Sequence, residues 1–187
     1  MNYLARKFQR AKWQIYDFMN HQDIQADAIG GCLRTYSNTL SFWRCCNTED
    51  DIREVALALA ADFEKPDKMH LIIFKYTDIT AQGFQFEEVP GRTPIQELRD
   101  RHLDLVHLTL DNLALFAHFM KPRVRQDIDC FSFSRDEVFT MLSQAISSGR
   151  LQVEDLHSRM RPYFNEELRK LCPTCLRPIE DGKPTNP

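Results

Sequence analysis

The chain has 187 residues, 43% of them hydrophobic and 27% charged, with a formal net charge of −3. That length suits one domain, at about 100–200 residues per domain, and the apolar share suffices for a sizeable core. A net negative charge gives no global field towards nucleic acid or acidic membranes, so any such binding needs a local patch.

No apolar run approaches the roughly 18 residues of a membrane helix, and that of Leu71 to Phe74 is strand-sized. The first residues carry Arg6, Lys7, Arg10 and Lys12 with no continuous apolar segment behind them, unlike a secretory signal. The six cysteines are therefore expected to be reduced and the protein cytoplasmic.

In chain order, the opening segment is ambiguous. Leu4, Phe8, Ala11 and Ile15 fit one helical face, while Leu4 and Phe8 with intervening charges suit an exposed strand. Cys32 to Tyr36 and Thr39 to Cys45 read as a hairpin around Ser37-Asn38, because Asn tolerates the left-handed conformation of a two-residue turn. Leu40, Phe42 and Arg44 then face one way and Ser41, Trp43 and Cys45 the other. Thr48 opens a helix with three acids in its first turn, a stripe of Ile52, Val55, Leu59 and Phe63, and Pro66 marking its end.

Met69 to Tyr76 has the two apolar faces of a central strand. Phe84 and Phe86 suggest a strand beside it. Thr93-Pro94-Ile95-Gln96 predicts a capping box and a short helix, followed by a strand over His102 to Leu108. A helix from Thr109 to Met120 should stop at Lys121-Pro122, and Ile128 to Phe133 is strand-like. Ser134 with Glu137 is the clearest helix start, and Gly149 suits the end of that helix. Val153, Leu156 and Met160 begin a last helical segment that Pro162 must kink. The fold expected is α+β: a mixed or mainly antiparallel sheet with helices packed on it and a helical C-terminal third. Residues 1–171 would form a single domain, and residues 172–187 a Cys-x-x-Cys turn with a flexible tail.

Cys172-Pro173-Thr174-Cys175 is the most specific chemical feature. Two thiols at this spacing can share one metal ion, so zinc is the candidate cofactor. A structural site needs four ligands; Cys130, His157, Cys45 and Cys46, or a second copy of the pair on a symmetric partner chain, could complete it. A redox dithiol would precede a helix, whereas this pair follows one. Two reduced thiols in a terminal turn is the plainer reading.

The basic and aromatic N-terminus, Arg6, Lys7, Arg10, Lys12 and Trp13, could grip phosphates and stack on a base. Arg159, Arg161, Arg169 and Lys170 form a second basic group amid acids. His102, Asp104 and His118 could assemble a hydrolytic metal site if the fold brought them together, although solvated surface residues would give the same pattern. Asp127 and Asp129 share a strand face and have the same plain explanation. The sequence has no G-x-S-x-G elbow and no phosphate-cradling glycine loop. It is therefore read first as a non-catalytic accessory or regulatory protein that binds a protein partner, alone or as a subunit of a larger assembly. Nucleic-acid binding through the N-terminus and a metal-dependent hydrolase or nuclease are the alternatives.

Overall fold

The computed structural model describes residues 1–13 and 24–165. Six strands, β1 (Tyr3–Phe8), β2 (Leu40–Cys45), β3 (Met69–Lys75), β4 (Gln85–Glu88), β5 (His102–Val106) and β6 (Cys130–Phe133), form one antiparallel sheet in the order β4-β5-β2-β1-β3-β6. Helices α1 (Ala26–Cys32), α2 (Glu49–Ala60), α3 (Tyr76–Thr80), α4 (Leu110–Arg125) and α5 (Arg135–Ser147) accompany it, giving the α+β architecture expected.

The ambiguous opening segment is a strand, and a central one. β1 pairs with both β2 and β3, placing Leu4 in one core and Ala5 in the other. On one face, Ala5, Trp43, Cys45, Leu71 and Ile73 pack beneath α2 and α5, which contribute Ile52, Val55, Val138 and Leu142. On the other, Leu4, Phe42, Phe74, Leu103 and Leu105 pack beneath α1 and α4, which contribute Ala28, Cys32, Phe116 and Met120. Helices thus sandwich the sheet. Among the described residues no helix is long and apolar enough to cross a membrane.

Local signals held where side chains act on their own neighbours. Ser134 and Glu137 form the reciprocal capping box of α5, Thr48 caps α2 by accepting from the Asp51 N–H, and Gly149 follows α5 with φ +75°. Ser37 and Asn38 both have positive φ, 52° and 60°, in a turn closed by a Tyr36–Thr39 bridge.

Other expectations changed. The segment before this turn is not a strand: Cys32 ends α1 and residues 33–35 are irregular, with Cys32 and Leu33 buried against the α4-side core. β4 lies at the far edge beside β5 instead of beside β3, with Gln85, Glu87 and Glu88 on an edge that such side chains keep soluble. Thr93 accepts from the N–H of Ile95, and the following turn is a 3-10 helix, Gln96–Arg101. Pro122 lies inside α4, which continues to Arg125: burial of Met120 and Val124 on one face outweighs the single backbone hydrogen bond that proline forfeits. Leu156 and Met160 are buried as the stripe required, but from 3-10 turns, with Pro162 in the first turn of Arg161–Tyr163, where its missing N–H is harmless.

Candidate functional site

At one end of the sheet β1 and β2 part company. Their ladder runs from Tyr3↔Cys45 to Ala5↔Trp43, whereas β1 continues along β3 to Phe8↔His70 and β2 continues along β5 to Leu40↔Leu105. The Arg6 side chain fills the parting. Its Nη1 donates to the Ser41 carbonyl at 2.7 Å and its Nη2 to the Cys32 carbonyl at 2.6 Å, with the guanidinium 5.5 Å from the centre of the Phe42 ring. No carboxylate forms an ion pair with it among the described residues, and its Nε is buried without a partner. Burial lowers its pKa to about 10, against the opposing pull of Cys32 and Asp104.

The α2-side surface of this parted end is a groove of about 700 Å³. Thr39, Ser41 and Trp43 line it at alternate positions along β2, with His102 and Asp104 of β5 on one side and Lys7 of β1 on the other. The end of α2 and the residues after it supply one wall through Leu59, Asp62 and Phe63. Val89, Pro90, Arg92 and Thr93 supply the opposite wall, and Gly31, Arg34 and Tyr36 close the end. Lys7 Nζ lies 4.3 Å from the centre of the Phe63 ring. Burial lowers the pKa of Lys7, and Asp62 opposes that shift.

Asp104 organises the floor. Its Oδ1 accepts from the Ser41 hydroxyl at 3.3 Å and lies 3.7 Å from His102 Nε2. The other ring nitrogen of His102, Nδ1, donates to the Val89 carbonyl at 2.7 Å, the only role a carbonyl partner permits. Trp43 stands edge-on to His102, and Gly91 approaches so closely that a Cβ there would sit 2.5 Å from Trp43 Cη2. The Ser41 hydroxyl thus donates to a carboxylate that sits between it and the His102 ring. The arrangement is a fixed set of donors and acceptors beside cations, suited to binding.

The N-terminal basic residues are spread over several environments, although Arg6 and Lys7 both line the groove. Arg6 and Trp13 are buried, Lys7 enters the groove, Arg10 pairs with Asp127 at 3.0 Å, and the Lys12 side chain lies over Gly31. Arg6 and Lys7 lie on opposite faces, as adjacent strand residues must. His118 is exposed on α4, on the other side of the sheet from His102 and Asp104, so these three do not converge. His107, with φ +57°, follows β5, and Asp129 shares the positive φ of Asp127.

Cys172 and Cys175, with Arg169 and Lys170, lie outside the described residues. The further thiols weighed with them are dispersed: Cys45 is buried under α2, its pKa pushed up to about 12 by burial, while Cys130 packs against the α4-side core, raised to about 11 by burial. Cys46 and His157 are exposed. Among the described residues no three His, Cys, Asp or Glu side chains are grouped to hold a metal.

Ser41, Tyr36, Arg34 and Arg92 were not singled out by sequence. The alternation along β2 does show Ser41 and Trp43 on one face; the register that sets Ser41 opposite Asp104 depends on strands 63 residues apart. Comparison of the chain with family models, with curated proteins and with solved structures finds no significant match.

Proposed function

We propose that this protein acts by binding a protein partner at the groove and its rim, as an accessory or regulatory protein without catalytic chemistry of its own. The observation that carries this reading is Tyr36, 81% exposed at the mouth of the groove and held there by the Ser37-Asn38 turn. The turn is tied to the start of α4 by a hydrogen bond from the Leu108 N–H to the Asn38 carbonyl, and Leu110, 80% exposed, stands two residues further on. An exposed tyrosine on a hydrogen-bonded turn, at the mouth of a groove lined by polar groups, has the composition of an interface anchor.

Site-specific photo-cross-linking tests it. A photoreactive residue at position 36 is expected to give one discrete protein adduct in the cells that make this protein, while the same residue at Asp136, exposed on α5, gives none. Identical adducts from both positions, or none from position 36, would sink the reading.

A further inference from the structure

We infer that the segment received by the groove is an extended acidic peptide of the partner, about four residues long. This rests on the partner-binding reading and specifies what the groove takes.

Length comes first. The groove follows β2 from Thr39 to Trp43, about 13 Å at roughly 3.3 Å per residue, which an extended segment of about four residues would match.

Charge comes second. Seven arginines outside the groove, Arg10, Arg44, Arg53, Arg101, Arg123, Arg150 and Arg159, each form an ion pair, whereas Arg99 and Arg161 donate to backbone carbonyls. In the groove, Arg6, Lys7, Arg34 and Arg92 form none among the described residues, and only two carboxylates, Asp62 and Asp104, share the lining. Asp104 already accepts one hydrogen bond, from the Ser41 hydroxyl. A chain of net charge −3 has therefore gathered an excess of positive charge in one concavity. Both Nη groups of Arg6 are committed to carbonyls, so it contributes field, while Lys7, Arg34 and Arg92 supply donors to the incoming anion.

The polar groups between the cations favour a peptide over a nucleic acid. A phosphate on every nucleotide would meet Asp62 and Asp104 as well as the cations. An acidic peptide alternates carboxylates with backbone N–H groups, and those amides suit the carboxylate and hydroxyl acceptors of Asp104, Ser41 and Thr39.

Amide NMR titration of the full chain at low salt, with acetylated tetraglutamate as the probe, tests this. Tetralysine, inorganic phosphate and a short oligothymidylate form separate arms. Tetraglutamate is expected to shift the amides of Lys7, Ser41 and Trp43 while leaving α4 unmoved. Arg34→Glu and Arg92→Glu are each expected to weaken it about three- to tenfold, with added salt weakening it further.

Absence of localised shifts, or tetralysine shifting the same amides, would overturn the inference. So would tighter binding of oligothymidylate, which would make the groove a nucleic-acid site, or of phosphate, which would make it a small-anion site. The two readings fail separately. A cross-link from position 36 that survives both charge reversals overturns the acidic segment and leaves partner docking intact. Tetraglutamate binding without any partner adduct from position 36 overturns docking at the rim and leaves the groove's preference for acidic peptide standing.

Discussion

The two faces of the sheet are covered in different ways. Beneath α1 and α4 the core is aromatic: Phe42 meets Phe86 at 5.5 Å, Phe116 at 5.7 Å and Phe74 at 6.3 Å, all edge-on, and Phe84 meets Phe116 at 5.8 Å. Beneath α2 and α5 the buried residues are smaller, among them Val55, Ala56, Ala58, Ala60, Ala61 and Ala145. Large interlocking rings fill space between layers, whereas alanines let a helix lie close. α2 ends at Ala60, and past it the sheet residues Lys7, Ser41 and Asp104 line the groove instead of a dry core. One face is closed by packing. The other stops short and ends in polar side chains.

Three perturbations sharpen this contrast. The largest effect should come from the closed face. Phe116→Ala removes a ring that contacts Phe42, Phe74, Phe84 and Phe119, and should cost about 3–5 kcal/mol in a denaturant titration. A loss below about 1 kcal/mol would mean that this aromatic layer is loosely packed.

Next is the boundary of the open face. Gly91→Ala drives a methyl to within 2.5 Å of Trp43 Cη2 and 3.0 Å of His102 Cβ, so it should cost about 1–3 kcal/mol and shift the fluorescence attributable to Trp43. An unchanged spectrum and midpoint would show that the wall formed by residues 89–93 can yield.

The smallest effect lies far from the groove. Ser134→Ala should remove about 1 kcal/mol through loss of the α5 cap. The Glu137 carboxyl is held below its usual range by the Ser134 N–H and hydroxyl, so its contribution is complete above the ordinary carboxylate value. That contribution disappears as the pH falls through the depressed one. His70, lowered by burial and by Lys68 and Arg10, acts in the same direction: the unfolded chain protonates first, and stability falls as the pH drops below the ordinary histidine value. Urea midpoints should therefore decline from neutral towards acid pH, and Glu137→Gln should flatten the carboxylate part of that decline. A slope unchanged by the substitution would remove Glu137 from the account.

Much of the local architecture could be read without a structure. Ser134 with Glu137, Thr48 before three acids, and the Ser37-Asn38 turn all act over three or four residues, within reach of sequence inspection. The alternation of β2 and the two apolar faces of β3 were visible for the same reason. What escaped depends on long-range pairing. β1 carries Arg6 and Lys7 and reads as an exposed strand or a helix, yet β2 and β3 enclose it. The basic cluster looked continuous along the chain, but strand alternation sends Arg6 and Lys7 to opposite faces, and a 3-10 turn buries Trp13. Arg34 and Arg92 sit in segments with no motif, and only tertiary folding sets them around the same concavity as Lys7.

The fork at Arg6 has a mechanical meaning. One guanidinium rivets the last turn of α1 to β2, since it serves the Cys32 and Ser41 carbonyls at once. A lysine, with a single point of charge, could not span both, so the two backbones would lose their common tie. Because Gly31, Arg34 and Tyr36 follow from that riveted turn, the headland they form is stiffened before any visitor arrives, and association would forfeit little conformational freedom there.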